Sequence, residues 1–213
     1  MCHKIGIVEL KLDKKIHFYF DFLSPFGYFG SLRINELAKR HNLKCEWHPI
    51  LLGVSVLKVM GLPPIAELPL KGAYIRNDAA RYSRRHKIKL GRRLGAPQVN
   101  PLLPARIVSW LKLENDLLAQ NLAADLYSAH WQEDKDISER QVAFQIAQKN
   151  GIDVVVLSEA IESGEASAAL RAEVDASIGF GVFGSPTFRI GEELFFGVEK
   201  LEVFDEWLKL GGW

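Results

Sequence analysis

Ser24 stands where two patterns meet. In the stretch FYFDFLSPFGYFG, Phe18 to Gly30, an aromatic run stops at Ser24-Pro25 and a helical period begins directly after it. A serine so placed can cap the helix, its oxygen accepting a first-turn N–H while proline takes the first helical position. It can equally serve a bound anion, because a helix N-terminus offers N–H groups and a positive dipole end. Both readings put the hydroxyl in the same spot, and both stay open on these residues alone. The stretch contains no thiol. The two cysteines, Cys2 and Cys45, are too few for a disulfide framework. Cys45 alternates with strand residues, which suits a core position better than a nucleophile. The six histidines and two cysteines show no zinc-ligand spacing, so no metal is expected. No phosphate loop of the G-x-x-x-x-G-K type is present.

The elements that must hold Ser24 can be read from periodicity. Ile16, Phe18, Phe20 and Phe22 share one face of a strand, with His17, Tyr19 and Asp21 on the other. Phe26, Phe29, Gly30, Ile34, Leu37 and Ala38 then follow a helical period to about His41. Leu43, Cys45 and Trp47 alternate with Lys44, Glu46 and His48 in a second strand closed by Pro49, completing a βαβ unit. From about Ile65 to Ile178 helical patterns recur without convincing alternation. Pro104 to Trp131 suits one long helix or two. Ser138-Glu139-Arg140-Gln141 suggests a capping box for a helix ending at Asn150-Gly151. Further helices are expected over Asp153–Ser163 and Glu165–Ile178. Strand signals return at Thr187–Ile190 and Glu193–Phe196 around a Gly191-Glu192 turn. A last helix from about Glu199 to Leu210 should bury Leu201, Phe204 and Leu208. The fold class is therefore α/β: residues 15–60 and 179–213 form one small domain, split by a helical insertion over 61–178.

The order βαβ, then Pro186, ββ and a terminal helix is the thioredoxin topology, interrupted where DsbA-like proteins carry their insertion. Redox members open the first helix with Cys-x-x-Cys; here those positions read Ser24-Pro25-Phe26-Gly27. Dithiol exchange needs a thiolate, so it is excluded at this site. FYFDFLSPFGY, KGAYIRND, HWQEDKDIS and GVFGSPTFRIGEELFFG occur in the order that resembles the 2-hydroxychromene-2-carboxylate isomerase family and the related kappa-class glutathione transferases.

That resemblance implies a cytoplasmic, homodimeric, glutathione-dependent isomerase acting on a small aromatic carboxylate in aromatic-compound degradation. It implies that Ser24 hydrogen-bonds the glutathione sulfur at the Pro25-Phe26 helix start. Ser185, before a cis Pro186, would pair its backbone with the tripeptide like an added strand. Val198 and Glu199 would hold the γ-glutamyl end, and Gly61 opens the Gly61-Leu62 pair where relatives carry Gly-Asn, whose Asn contact with glutathione is missing here. Tyr74, Asn77, Asp78 and Arg81 would face the acidic substrate, although Asp78 and Arg81 have the spacing of a plain helical ion pair. A kappa-like transferase releasing a conjugate, and a non-catalytic thioredoxin-like binding protein, are the alternatives.

Composition agrees with an ordinary globular chain. The 213 residues are 48% hydrophobic, enough for a full core. A net charge of +1 gives no global field toward nucleic acid or an anionic membrane. The start MCHKIGIVELKLDKK lacks the apolar middle of a signal peptide.

Overall fold

The computed structural model describes residues 15–213. Cys2 and the charged start, on which the signal-peptide reading rests, lie outside the described residues. Strand β1 (Lys15–Phe20) is followed by α1 (Pro25–Arg40) and by the parallel strand β2 (Lys44–Pro49). A π-helical turn (Gly53–Val59), which the sequence pattern did not indicate, leads into the helical block. That block comprises α2 (Lys71–Arg85), α3 (Leu102–Glu114), α4 (Asp116–Trp131), α5 (Arg140–Lys149), α6 (Val154–Glu162) and α7 (Glu165–Gly179). Strands β3 (Thr187–Ile190) and β4 (Glu193–Phe196) form the expected hairpin, and a 3-10 turn (Val198–Lys200) opens α8 (Leu201–Leu210). The sheet order is β2-β1-β3-β4, with β3 antiparallel to both neighbours. Among the described residues no strand lies between β2 and β3, and no helix is long and apolar enough to cross a membrane.

β1 is buried on both faces because it lies inside the sheet between two helical layers. On one face Phe18 meets Trp47 edge-on at 5.0 Å and stacks on Phe188 at 5.6 Å. α1, α4 and α8 close over that face. Asn35 accepts the Trp47 indole N–H at 3.0 Å, Tyr127 packs on Phe20 at 5.5 Å, and Phe204 stacks on Phe188 at 5.9 Å. Burial of such rings, each worth ~1.5–3 kcal/mol, supplies the core. The other face carries His17 and Tyr19 and meets polar groups from α3 and α7.

Helix boundaries follow from local hydrogen bonding. Asn115 is extended (φ −150°), and its side chain accepts Leu118 N–H at 3.0 Å, so Pro104–Trp131 becomes two helices. Asp153 caps α6 by accepting from Val155 N at 2.8 Å. Two expectations are corrected. The capping box at Ser138 does not form: the Ser138 hydroxyl donates to the Asp136 carboxylate at 2.5 Å, and Glu139 caps α5 without a side-chain bond. The Ser138 N–H also donates to Asp136 Oδ1 at 2.9 Å, holding Ser138 in a turn so that the helix starts one residue later. In α8 Leu201 and Phe204 are buried as expected, but the third buried side chain is Trp207, with Leu208 only partly covered, because the larger indole reaches Phe195 at 5.8 Å and Trp213 at 4.8 Å.

Candidate functional site

The site is built where β1 ends and α1 begins. Ser24 has the extended backbone of an N-cap (φ −86°, ψ 115°), and its Oγ accepts Gly27 N–H at 3.0 Å. Its proton is donated to the Ser185 carbonyl at 2.8 Å. Its own N–H donates to the Asp21 carbonyl at 3.0 Å. The Ser185-Pro186 bond is cis, as expected from Gly-Ser-Pro ahead of the hairpin. Ser185 Oγ accepts Asp21 N–H at 2.9 Å, so the residue is fixed at both ends. Pro25 has no N–H and the Tyr28 N–H is taken by Ser24 O at 3.0 Å. The N–H groups of Phe26 and Ser185 therefore stand at the helix start without a partner among the described residues.

Three residues that sequence reasoning did not single out brace this loop. Asp21 is 1% exposed, and its carboxylate accepts Leu23 N at 2.9 Å and Leu52 N at 2.8 Å. Burial pushes its pKa up to about 6, against the pull of those two N–H bonds. Tyr127 donates to the Asp21 carbonyl at 2.8 Å; burial, then the nearby Asp21 charge, raises its pKa. Trp131 donates its indole N–H to the Phe22 carbonyl at 3.0 Å, and Gln132 bonds the Tyr28 hydroxyl. An acid inside an aromatic strand run was the available signal for Asp21. Tyr127 and Trp131 are brought in by tertiary packing.

Gly27 is required by the same crowding. A Cβ there would stand 2.5 Å from Ser185 Oγ and 2.6 Å from the Tyr127 hydroxyl. Cys45 sits apart, in β2, and burial, reinforced by Asp116 and Glu46, pushes its thiol far up. A neutral thiol is a poor nucleophile.

The other candidate residues are placed unevenly. Phe26 is half-buried against Phe29 beside the cap. Val198 puts its side chain in the core, leaving only its backbone for a ligand. Glu199 is exposed and folds back over Gly197, whose N–H bonds the Pro186 carbonyl at 2.9 Å. Gly61 has φ +66° in an exposed loop and open space around its Cβ direction. On α2, Tyr74 and Asn77 are exposed, Arg81 pairs with Asp78 at 2.7 Å, and its guanidinium lies 5.4 Å over Tyr74. Asp78 is half-buried, and Arg81 is engaged by both Asp78 and Tyr74. α2 nonetheless rests on α1: Arg33 donates to the Tyr82 hydroxyl at 2.8 Å and Tyr82 stacks on Phe29 at 4.9 Å.

A four-stranded mixed sheet, with a cis-proline loop facing the first helix's N-terminus, defines a protein of the thioredoxin class without its dithiol. Within that class the chain belongs to the DSBA-like thioredoxin domain family, whose sequence model matches residues 15–209. It is 24% identical over 199 residues to a 2-hydroxychromene-2-carboxylate isomerase from Pseudomonas putida, covering 89% of this chain and 92% of that protein. It is 23% identical over 202 residues to glutathione S-transferase kappa 1 from Rattus norvegicus, covering 88% of each. A solved structure of 2-hydroxychromene-2-carboxylate isomerase superposes with a TM-score of 0.77 at 24% identity, over 92% of this chain and 94% of that one. The chain is thus related to isomerases and to glutathione transferases.

Proposed function

We propose that this protein is a glutathione-dependent isomerase of the 2-hydroxychromene-2-carboxylate type, opening a cyclic aromatic acid to a trans-benzylidenepyruvate. The observation that carries this reading is Ser24, a hydroxyl capping α1 opposite the Ser185-Pro186 cis bond, with no thiol at position 24 or 27. Glutathione fits the residues present: the partnerless N–H groups of Phe26 and Ser185 offer donors for a thiolate and for a peptide carbonyl. When bound, glutathione supplies a nucleophilic thiolate that adds to the substrate and leaves again unchanged.

The chain's own part is charge stabilisation and positioning. Ser24 turns its proton from the Ser185 carbonyl toward the ligand sulfur while continuing to accept from Gly27 N–H. The Asp21, Tyr127 and Trp131 bonds keep that loop in place, so the donors are preorganised. The Ser185 N–H and the backbone around Val198 and Glu199 hold the tripeptide. α2 presents Tyr74, Asn77 and Arg81 to the aromatic acid, with Arg81 exchanging Asp78 for the substrate carboxylate. Similar identity to a kappa-class transferase supports a second reading, in which the thiolate is kept in a conjugate. The test is to mix the protein with 2-hydroxychromene-2-carboxylate, with and without glutathione, and identify the products. Interconversion with glutathione recovered intact supports the isomerase. A conjugate with a halogenated nitrobenzene, and no isomerisation, supports the transferase. No reaction and no glutathione binding overturns both.

A further inference from the structure

The face of β1 and β2 turned toward α3 and α7 carries a second cluster of reactive side chains. The parallel register sets His17 beside Glu46, and Glu46 and His48, two residues apart, share that face. His17 Nδ1 and His48 Nε2 are 2.9 Å apart. Glu46 Oε2 is 3.8 Å from the first and 4.0 Å from the second. A point equidistant from these three atoms lies about 2.1 Å from each, the length of zinc–imidazole and zinc–carboxylate bonds.

The surroundings orient the donors. His48 Nδ1 lies 2.8 Å from Glu173 Oε2 on α7, and Lys112 Nζ on α3 donates to Glu173 Oε1 at 2.8 Å. Lys112 Nζ also stands 2.8 Å from His48 Nδ1; an ammonium has no lone pair, and Glu173 is the acceptor both donors share. With the proton on Nδ1 donated to Glu173, Nε2 turns its lone pair toward His17 and Glu46. A histidine held through its far nitrogen by a carboxylate is the usual support of a metal ligand. Lys15 Nζ engages Glu46 Oε1 at 2.5 Å, leaving Oε2 on the imidazole side. The His17 and His48 side chains are 10% and 13% exposed, while Glu46 at 26% leaves a way in.

We propose that His17, Glu46 and His48 bind a divalent transition-metal ion of the zinc type, separately from Ser24, which follows the other end of β1. Two imidazoles and one carboxylate suit zinc or cobalt and not magnesium or calcium, which take all-oxygen sets. The ion braces the sheet against α3 and α7 through His48 and Glu173.

The experiment uses the full chain after chelator treatment, carrying Cys2→Ser and His3→Ala so that these donors do not compete. It is titrated with Zn2+ by calorimetry and with Co2+ by visible absorption. One equivalent should bind, with the ligand-field bands of a four-coordinate nitrogen–oxygen site, and should raise the thermal midpoint. His48→Gln should weaken binding by about 100-fold or more and abolish the thermal shift, and Glu173→Gln should weaken it about 10–100-fold. Glu46→Gln, on the more open side, serves if His48→Gln fails to fold, and should also weaken binding at least about tenfold. His86→Gln, on the end of α2, should change nothing. Absence of stoichiometric uptake, or uptake unaltered by both His48→Gln and Glu46→Gln, would reduce the cluster to a hydrogen-bonded imidazole pair and overturn the proposal.

Discussion

The two ends of β1 handle polar groups by different means. At its far end Asp21, Ser24 and Ser185 are locked mainly through the backbone, with amides and carbonyls as the partners of nearly every side chain. Near its start His17, Glu46, His48, Glu173 and Lys112 hold one another side chain to side chain. A backbone cradle fixes geometry but offers few charges, so it suits binding a ligand that brings its own reactive group. An ionic cluster brings charge but depends on each partner, so removing one member leaves another buried and unmatched. Rigid cradle and interdependent cluster should therefore fail differently.

The largest effect is expected at Gly27. Gly27→Ala forces a methyl into the hydroxyls of Ser185 and Tyr127. The cost should be ~3 kcal/mol or more, read by urea unfolding, together with loss of turnover. A near-neutral variant would mean that the cradle yields.

For Asp21 the sign follows from its raised folded pKa, about 6 against 3.8. Stability from the protonated form is fully present below 3.8 and is lost as pH rises through about 6. The unfolding free energy of wild type relative to Asp21→Asn should fall by about 3 kcal/mol across that window. A flat difference would place the carboxylate in wetter surroundings.

Ser24→Ala separates capping from ligand chemistry. Loss of the cap and of the bond to Ser185 should cost about 1–2 kcal/mol of stability. Turnover should drop sharply, with the pKa of bound glutathione rising when followed by thiolate absorbance. Wild-type turnover and an unchanged titration would leave Ser24 as a cap.

Tyr127→Phe should cost about 1 kcal/mol by removing one of the two hydrogen bonds to the Asp21 carbonyl, which keeps the Ser24 N–H, with activity reduced less than in Ser24→Ala. The smallest functional effect is expected from Cys45→Ser. It should leave glutathione-dependent turnover intact, because Cys45 sits half-buried in β2, away from the cradle.

The cradle was partly legible because its pieces are contiguous: Ser24-Pro25 announces a cap, and Gly-Ser-Pro before a hairpin announces the cis loop. The strands and the helical block were legible for the same reason, since periodicity is local. Tyr127 and Trp131 were not, because a side chain reaching a carbonyl about a hundred residues away leaves no local pattern. The cluster at the start of β1 was invisible for a further reason. His17 and Glu46 become neighbours only through strand register, and a search for ligand spacing looks along the chain. The self-pairing of Arg81 with Asp78 was readable from three-residue spacing, whereas the backward fold of Glu199 over Gly197 was not.

The closed space at Gly27 also bears on descent. Converting Ser24 to cysteine would give a single thiol, but a resolving cysteine at position 27 would push its Cβ into the oxygens of Ser185 and Tyr127. Regaining a redox pair would need coordinated change at Gly27 in α1, Ser185 ahead of β3 and Tyr127 in α4. Each step taken alone breaks packing before it adds chemistry. The hydroxyls that fill this corner make disulfide exchange here a matter of room as well as of the missing sulfur.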